Sequence, residues 1–318
     1  MKKRVLYSIK GLYRDDFRVT GYEFGRGEKS LAIVGATRGN EIQQLYVCSL
    51  LIRKFRQLEE EGRISPNKKI LIIPTVNPYS INIQKRFWPI DNTDINRMFP
   101  GYNLGETTQR IADGVFKEIS GYKTGIQFTS YYMPGRFMPH IQMMDTGYED
   151  VGMAKQFGMP YVVKRKVRPY DTATLNYNWQ IWETQAFSFY TTTTRTIDRS
   201  SAGRAVLSIL SFLSKQGIVK YQGPSGEASR VISSSDLEAV RTAKSGLFET
   251  LVNVGDKVSA GTPLANIINP YEGDITETLY APCDSTVFFM HSDPLTYANT
   301  AVFKLVPDEE RKKDGLSQ

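Results

Sequence analysis

From Ser30 to Val76 the chain reads as an apolar strand, an amphipathic helix and a second apolar strand. This alternation restricts the fold more than any other feature. Ser30 to Val34 has the texture of a buried strand. Glu41 to Glu61 follows, with Leu45, Cys48, Leu51, Ile52, Phe55 and Leu58 spaced along one helix face. Lys69 to Val76 (KILIIPTV) is then apolar without alternation, as in a strand covered on both faces of a parallel sheet. Further strands are expected over Gly125 to Ser130, Tyr161 to Lys164 and Trp182 to Thr191. Further helices are expected over Thr107 to Ile119 and over Ser200 to Gln216, the latter with Ala205, Leu207, Leu210, Phe212 and Leu213 apolar. Strand–helix–strand order with short turns predicts an α/β domain, a mostly parallel sheet flanked by helices.

From about residue 229 the texture changes. Segments become short and punctuated by glycine, as in Lys244-Ser245-Gly246-Leu247-Phe248 and Val254-Gly255-Asp256-Lys257-Val258. Turns at this spacing predict a small all-β module. The expected organisation is an α/β domain over 1–228, a β domain over 229–306 and a charged, disordered tail over 307–318. Of the net charge of +7, residues 237–306 carry −4 and the tail −1, which leaves +12 on residues 1–236. The basic residues are scattered. Their tightest run, Lys164-Arg165-Lys166-Val167-Arg168, reads as a solvated strand or loop, so no nucleic-acid partner is expected. No apolar run approaches the roughly 20 residues of a membrane span, and no signal-peptide core follows the basic start, so a cytoplasmic chain with no membrane partner is expected. Cys48 and Cys283 lie far apart and read as free thiols.

Four segments fit one family pattern in order. Gly35-Ala36-Thr37-Arg38-Gly39-Asn40-Glu41 has the frame of a "G-x-x-H-G-x-E" metal turn, and Pro74-Thr75-Val76-Asn77-Pro78 that of a "P-x-x-N-P" loop. Asp94-Ile95-Asn96-Arg97-Met98-Phe99-Pro100-Gly101 matches "D-[LI]-N-R-x-F-P-G" closely. The glycine-punctuated module from Gly246 to Pro282 has the texture of a barrel–sandwich hybrid. Over about residues 30–306 the chain resembles the succinylglutamate desuccinylase/aspartoacylase family, amidohydrolase relatives of the zinc carboxypeptidases. The resemblance implies a zinc-carboxypeptidase-like α/β fold followed by the barrel–sandwich hybrid. Biotinyl and lipoyl carriers share the pattern of the terminal module, but its midpoint, Pro270 to Asp274, has no lysine to modify.

In that family a zinc ion is held by the His and Glu of the first motif and by the His of a later "D-x-H" strand end, and a further Glu serves as general base on the metal-bound water. Mapped residue by residue, the first His position holds Arg38 and the Glu is Glu41. The second His position holds Thr129, with Gln127 in place of the Asp, and the base position falls at Tyr190, good to about one residue. A guanidinium has no lone pair to offer a metal. No cofactor is therefore expected, and Glu41 alone of the family's ligands remains for zinc. Of the two histidines, His140 follows the D-x-H position and is a candidate for the pocket, while His291 belongs to the β module. Substrate-side positions survive better: Asn96 and Arg97 match the pair that grips a carboxylate, with Arg86 as the upstream arginine. The alternative is that Asn96 and Arg97 brace a loop.

These positions favour an altered member of the family, a pseudo-hydrolase that binds a small carboxylate ligand or serves as a non-catalytic subunit. A homo-oligomer, or a hetero-oligomer with an active paralogue, fits that reading. Two others stay open: an active amidohydrolase cleaving an N-acyl amino acid, with zinc in a non-standard site or no metal, and a structural partner with a collapsed pocket. Loss of a dication would leave Glu41 buried without compensation. Arg38 is therefore expected to turn inward and pair with it, the rival being that Arg38 faces solvent.

Overall fold

The computed structural model describes residues 1–11, 15–224 and 226–308. Of the tail expected over 307–318, residues 309–318 lie outside the described residues, whereas Pro307 belongs to a strand. The chain forms two compact units, residues 1–130 with 139–231, and residues 131–138 with those from 232 onward. The expected first domain ran unbroken from 1 to 228. The structure assigns Tyr131–Met138 to the second unit instead, because Gly135–Phe137 pairs as a strand with Phe289–His291.

The first unit opens with β1 (Lys2–Ile9), β2 (Phe17–Gly25), β3 (Glu28–Ala36), α1 (Ile42–Glu60) and β4 (Lys68–Thr75). Next come α2 (Pro78–Asn82), α3 (Thr107–Ile119) and β5 (Thr124–Thr129), then the excursion strand β6 (Gly135–Phe137). It continues with β7 (His140–Asp145), α4 (Val151–Lys155), β8 (Tyr161–Lys166), α5 (Leu175–Ile181), β9 (Gln185–Tyr190) and α6 (Arg199–Lys215), and the division between the units falls within β10 (Arg230–Ser233). Nine strands form one sheet in the order β1-β2-β4-β3-β5-β9-β7-β8-β10. The central run β4-β3-β5-β9 is parallel, as is β7 with β8, while β7 runs antiparallel to β9.

Several elements differ from the sequence expectation. The antiparallel hairpin β1–β2 carries only short alternating apolar positions, the pattern of an edge, and its outer strand exposes Lys2 and Lys3. The strand expected from Trp182 begins at Gln185, after a chain turn in which the Thr184 N–H returns to the Trp179 carbonyl at 2.9 Å. Helix α5 just before it buries Asn176, Asn178 and Gln180 beside Leu175 and Trp179, so it shows no apolar period.

Alternate residues along the central strands face opposite sides. One face is wholly apolar: Ile126 and Phe128 on β5, Phe187 and Phe189 on β9, Ile141 and Met143 on β7, covered by α1 and α6. The other packs Ala32, Val34 and Ala186 against Trp179 and α3. A Cβ at Gly125 would meet the Trp179 ring at 2.7 Å, so that ring requires glycine at this position. Toward the ends of β5, β9 and β7 this second face turns polar. Register places Gln127, Ser188 and Gln142 in one row and Thr129, Tyr190 and His140 in the next, all buried.

The second unit comprises β11 (Glu238–Arg241), β12 (Gly246–Thr250), β13 (Lys257–Val258), β14 (Pro263–Ile268), β15 (Ile275–Tyr280), β16 (Ser285–His291), β17 (Leu295–Thr296) and β18 (Ala301–Pro307). One sheet runs β11-β18-β16-β13 with β6 on β16, and another runs β15-β14-β12-β17. Leu264, Ile267, Val287, Val302, Phe303 and Leu305 form its core. Both cysteines are free and buried.

Helix α6 offers a direct check of helix phase. Phe212 is fully buried and stacked on Phe157 with centroids 3.9 Å apart, whereas Leu207, expected on the same apolar face, is 41% exposed. Phe212→Ala should cost about 3–5 kcal/mol of stability in urea titration. Leu207→Ala should stay within about 0.5 kcal/mol of the parent.

Candidate functional site

The site is assembled where β3 ends. Past Ala36 the chain turns through Thr37 to Glu41 before entering α1. Gly39 sits so close to the 80–85 loop that a Cβ would come within 2.2 Å of the Ser80 backbone and 2.3 Å of the Lys85 carbonyl oxygen. Only glycine allows that approach, and the Gly39 N–H donates to the Arg86 carbonyl at 3.3 Å.

Glu41 is fully buried, and its carboxylate is surrounded by donors. One oxygen accepts the backbone N–H groups of Thr37 at 2.9 Å and Arg38 at 3.1 Å, with the Thr37 hydroxyl at 3.4 Å. The other accepts Ser130 Oγ at 2.6 Å and Arg38 Nη1 at 3.2 Å. The Arg38 guanidinium turns inward and also donates from Nε and Nη2 to Asp94 Oδ2, at 3.1 and 2.9 Å. Burial works against the Arg38 charge, but Asp94 and Glu41 outweigh it and raise its pKa above the usual guanidinium value. The arginine thus bridges two carboxylates.

Asp94 opens a short 3-10 turn, Ile95–Arg97, by accepting the Asn96 N–H on Oδ1 at 3.1 Å. Ile95 is buried as the anchor of that turn. Asn96 points inward, and its Oδ1 accepts Gln127 Nε2 at 2.7 Å. Arg97 points outward, its side chain 42% exposed. Its Nη1 donates to the Tyr170 carbonyl at 2.7 Å, its guanidinium lies 4.9 Å over the Tyr170 ring, and Nε is 3.8 Å from Asp94. Arg168 reaches the same tyrosine, donating to its hydroxyl at 2.6 Å. In the basic run, Lys164 pairs with Asp145 and Glu149, and Arg165 with Asp171.

Thr129 ends β5 beside Ser130. Its carbonyl accepts Gln44 Nε2 at 3.2 Å, and its own hydroxyl has no partner among the described residues. Register sets Tyr190 next to it and His140 next to Tyr190. The imidazole and phenol stack at 4.6 Å with a 7° interplanar angle, and Gln142 Nε2 lies 3.4 Å from the phenol oxygen. Arg86 contributes its carbonyl to the turn, while its guanidinium lies 5.7 Å from the Phe87 ring.

Arg38 and Glu41 are thus brought together; Thr129, Tyr190 and His140 line up along the sheet, with Asn96 bonded to Gln127 of the neighbouring row; Arg97 stands at the outer edge. The sequence reading left Asp94, Ser130, Gln44 and Ser188 without roles. Gln44 was legible, since it lies four residues before Cys48 on the buried face of α1, where the structure buries Gln43 and Gln44 in preference to the half-buried Leu45. Ser130 carries no spacing signal.

This donor set does not fit a zinc ion. Arg38 offers no lone pair, and both Glu41 oxygens already accept hydrogen bonds. Among the described residues no three His, Cys, Asp or Glu side chains converge as metal ligands. The energetic expectation concerns the bridge itself. Arg38→Ala leaves two carboxylates uncompensated and should cost on the order of 3–5 kcal/mol in urea denaturation. Adding Glu41→Gln should recover only part of the loss, because Asp94 stays charged. A neutral Arg38→Ala would overturn this account of the site.

The catalytic-domain pattern of succinylglutamate desuccinylases and aspartoacylases matches residues 27–129, a span holding the Arg38 turn, the Asp94–Arg97 string and, at its end, Thr129. The chain is 24% identical over 281 residues to an N-alpha-acetyl-L-2,4-diaminobutyric acid deacetylase from Halomonas elongata, covering 84% of this chain and 76% of that one. An aspartoacylase family protein from Mesorhizobium loti shares its fold at a TM-score of 0.74 and 23% identity, covering 95% of this chain and 93% of that one. A succinylglutamate desuccinylase/aspartoacylase from Rhodobacter sphaeroides does so at 0.78 and 19%, with 97% and 96% covered. Residues 27–129, the Arg38 turn among them, thus match the catalytic-domain pattern of the succinylglutamate desuccinylase/aspartoacylase family, and the chain as a whole shares the fold of those proteins.

Proposed function

We propose that this chain is a binding member of its family, a pseudo-hydrolase in which a fixed guanidinium stands where relatives hold a metal and the pocket takes a small carboxylate ligand. It acts alone or as the non-catalytic subunit beside an active paralogue. The observation that carries the reading is the Arg38 bridge between Glu41 and Asp94. A metal supplies an empty coordination position for water and for the scissile carbonyl. The bridging guanidinium directs three of its five N–H groups at two carboxylates and offers no vacant coordination position for water. Near Tyr190, where the resemblance puts the general base to within about one residue, the strand Gln185–Tyr190 holds no carboxylate, and the phenol is stacked on His140.

Arg97 supports the carboxylate half of the reading. Its side chain is partly exposed, held by the Tyr170 carbonyl and ring, and its contact with Asp94 at 3.8 Å is long enough to yield to an incoming carboxylate. The name of the similar deacetylase makes N-acyl amino acids the first ligands to try.

Two measurements test the proposal. Protein purified without chelator should carry far less than one zinc per chain by elemental analysis and should not hydrolyse N-acyl amino acids when zinc is added. About one zinc per chain, lost with Glu41→Ala and accompanied by turnover, would establish an active amidohydrolase in its place. In thermal-shift screening, a carboxylate ligand at a hundredfold excess over its dissociation constant should stabilise the fold by about 2.7 kcal/mol. Arg97→Ala should abolish that shift. No response to any carboxylate would favour a collapsed pocket.

A further inference from the structure

The outer face of the sheet β15-β14-β12-β17 carries one row of aliphatic side chains across all four strands. Register sets Leu247 of β12 beside Leu295 of β17 on one side and Ile268 of β14 on the other, and Ile268 beside Ile275 of β15. Leu295, Leu247 and Ile275 are 49%, 40% and 57% exposed, and Ile268 is half-buried. The row points away from the core of its unit, because the adjacent register pair Phe248–Ile267 packs into that core. At about 4.8 Å between strands it runs for roughly 14 Å. Single exposed apolar residues are ordinary on a protein surface, whereas a contiguous set marks a face that something covers. The surroundings of the row are acidic. Glu249 lies two residues along β12, where it accepts Asn266 Nδ2 at 3.0 Å. Glu272 and Asp274 stand in the turn that leads to Ile275, Glu277 lies on β15, and Asp293 precedes Leu295 by two residues. Against these five acids the sheet and its turns hold one cation, Lys244, since Lys257 belongs to the other sheet of the unit.

A specific interface buries about 800 Å² on each partner. Four side chains in a row supply only part of that, so whatever covers the row also lies on the acids around it and has to be basic. Two such faces do not suit each other, because like charges would meet across the contact. Residues 1–236 of this same chain, by contrast, carry +12 against −4 on 237–306. We propose that the outer face of this sheet docks a second copy of the chain, through the basic α/β unit of that copy. Apolar contact along the row gives the part of the attraction that survives in salt, and charge selects the surface that it meets. Each copy owns both surfaces, so one docking contact can be returned by the other and close a two-fold dimer. The proposal is independent of the ligand taken by the Arg38 site.

Analytical ultracentrifugation of the whole chain, from micromolar to submillimolar concentration, tests this. A reversible dimer is expected, with a dissociation constant that rises at least about tenfold between about 0.1 M and 1 M salt, as the Debye length falls from about 10 Å to about 3 Å. Leu247→Ser with Ile275→Ser should leave the chain monomeric over the same range with an unchanged urea midpoint, because both side chains are exposed in the single chain. Glu249→Lys with Asp274→Lys should weaken the dimer at the lower salt and change it little at the higher. A benzophenone photocrosslinker placed at Ile275, in a mixture of isotopically light and heavy chains, should join light to heavy and land in the α/β unit. A monomer at every concentration, a dimer indifferent to the double serine variant, crosslinks from one β unit to another, or crosslinks confined within one chain would each overturn the proposal. If the chain stays monomeric but binds a leucine- and lysine-rich helical peptide with the same dependence on Leu247 and Ile275, the face takes a foreign basic partner and the second copy is ruled out.

Discussion

A carboxylate taken fully out of water must be compensated where it lies, and Glu41 is the group on which the architecture of this site depends. Five hydrogen bonds reach it, from two backbone N–H groups, two hydroxyls and the Arg38 guanidinium. Each donor fixes a different piece of chain. The backbone donors set the conformation of the turn after β3. Ser130 ties that turn to the end of β5. Arg38 carries the connection onward to Asp94 and so to the Ile95–Arg97 turn. A buried ion network of this kind adds little net stability over apolar packing, but it is very sensitive to the loss of one member. What it supplies is position: Asn96 is delivered inward and Arg97 outward because the residue before them is locked.

The sheet supports this by being asymmetric. Its apolar face, with Ile126, Phe128, Phe187 and Phe189, carries the packing against α1 and α6. Its other face is apolar only around Ala32, Val34, Gly125 and Ala186, and becomes polar at Gln127, Thr129, Ser188, Tyr190, His140 and Gln142. Where parallel strands end, loops diverge and open a crevice, which is where ligands bind in open α/β sheets. The polar rows lie at that end of β5 and β9. Neutral carboxamides and hydroxyls line the buried end of these strands, and some of their polar atoms have no partner among the described residues.

Much was determined by the sequence alone. The continuous apolar run at Lys69–Val76 and the helical periods of α1, α3 and α6 define an α/β sheet domain, because burial on both faces or on one stripe leaves a period in the residues. The glycine-punctuated texture marks the β module for the same reason. The Asp94–Gly101 string and the Gly35–Glu41 frame carry the resemblance to the family, and Arg38 stands in that frame where the pattern has a histidine. The tertiary structure decided the rest. Only the fold could show that Asp94 lies 2.9 Å from Arg38, since 56 residues separate them and no local pattern links them. Helix α5 buries amides and so hides its own period, and the excursion of residues 131–138 into the second unit follows from pairing with a strand some 150 residues later. The Thr129 hydroxyl, without a partner among the described residues, is likewise a property of space, because whether a buried polar atom has a partner depends on which chain segments pack around it and not on its neighbours in sequence.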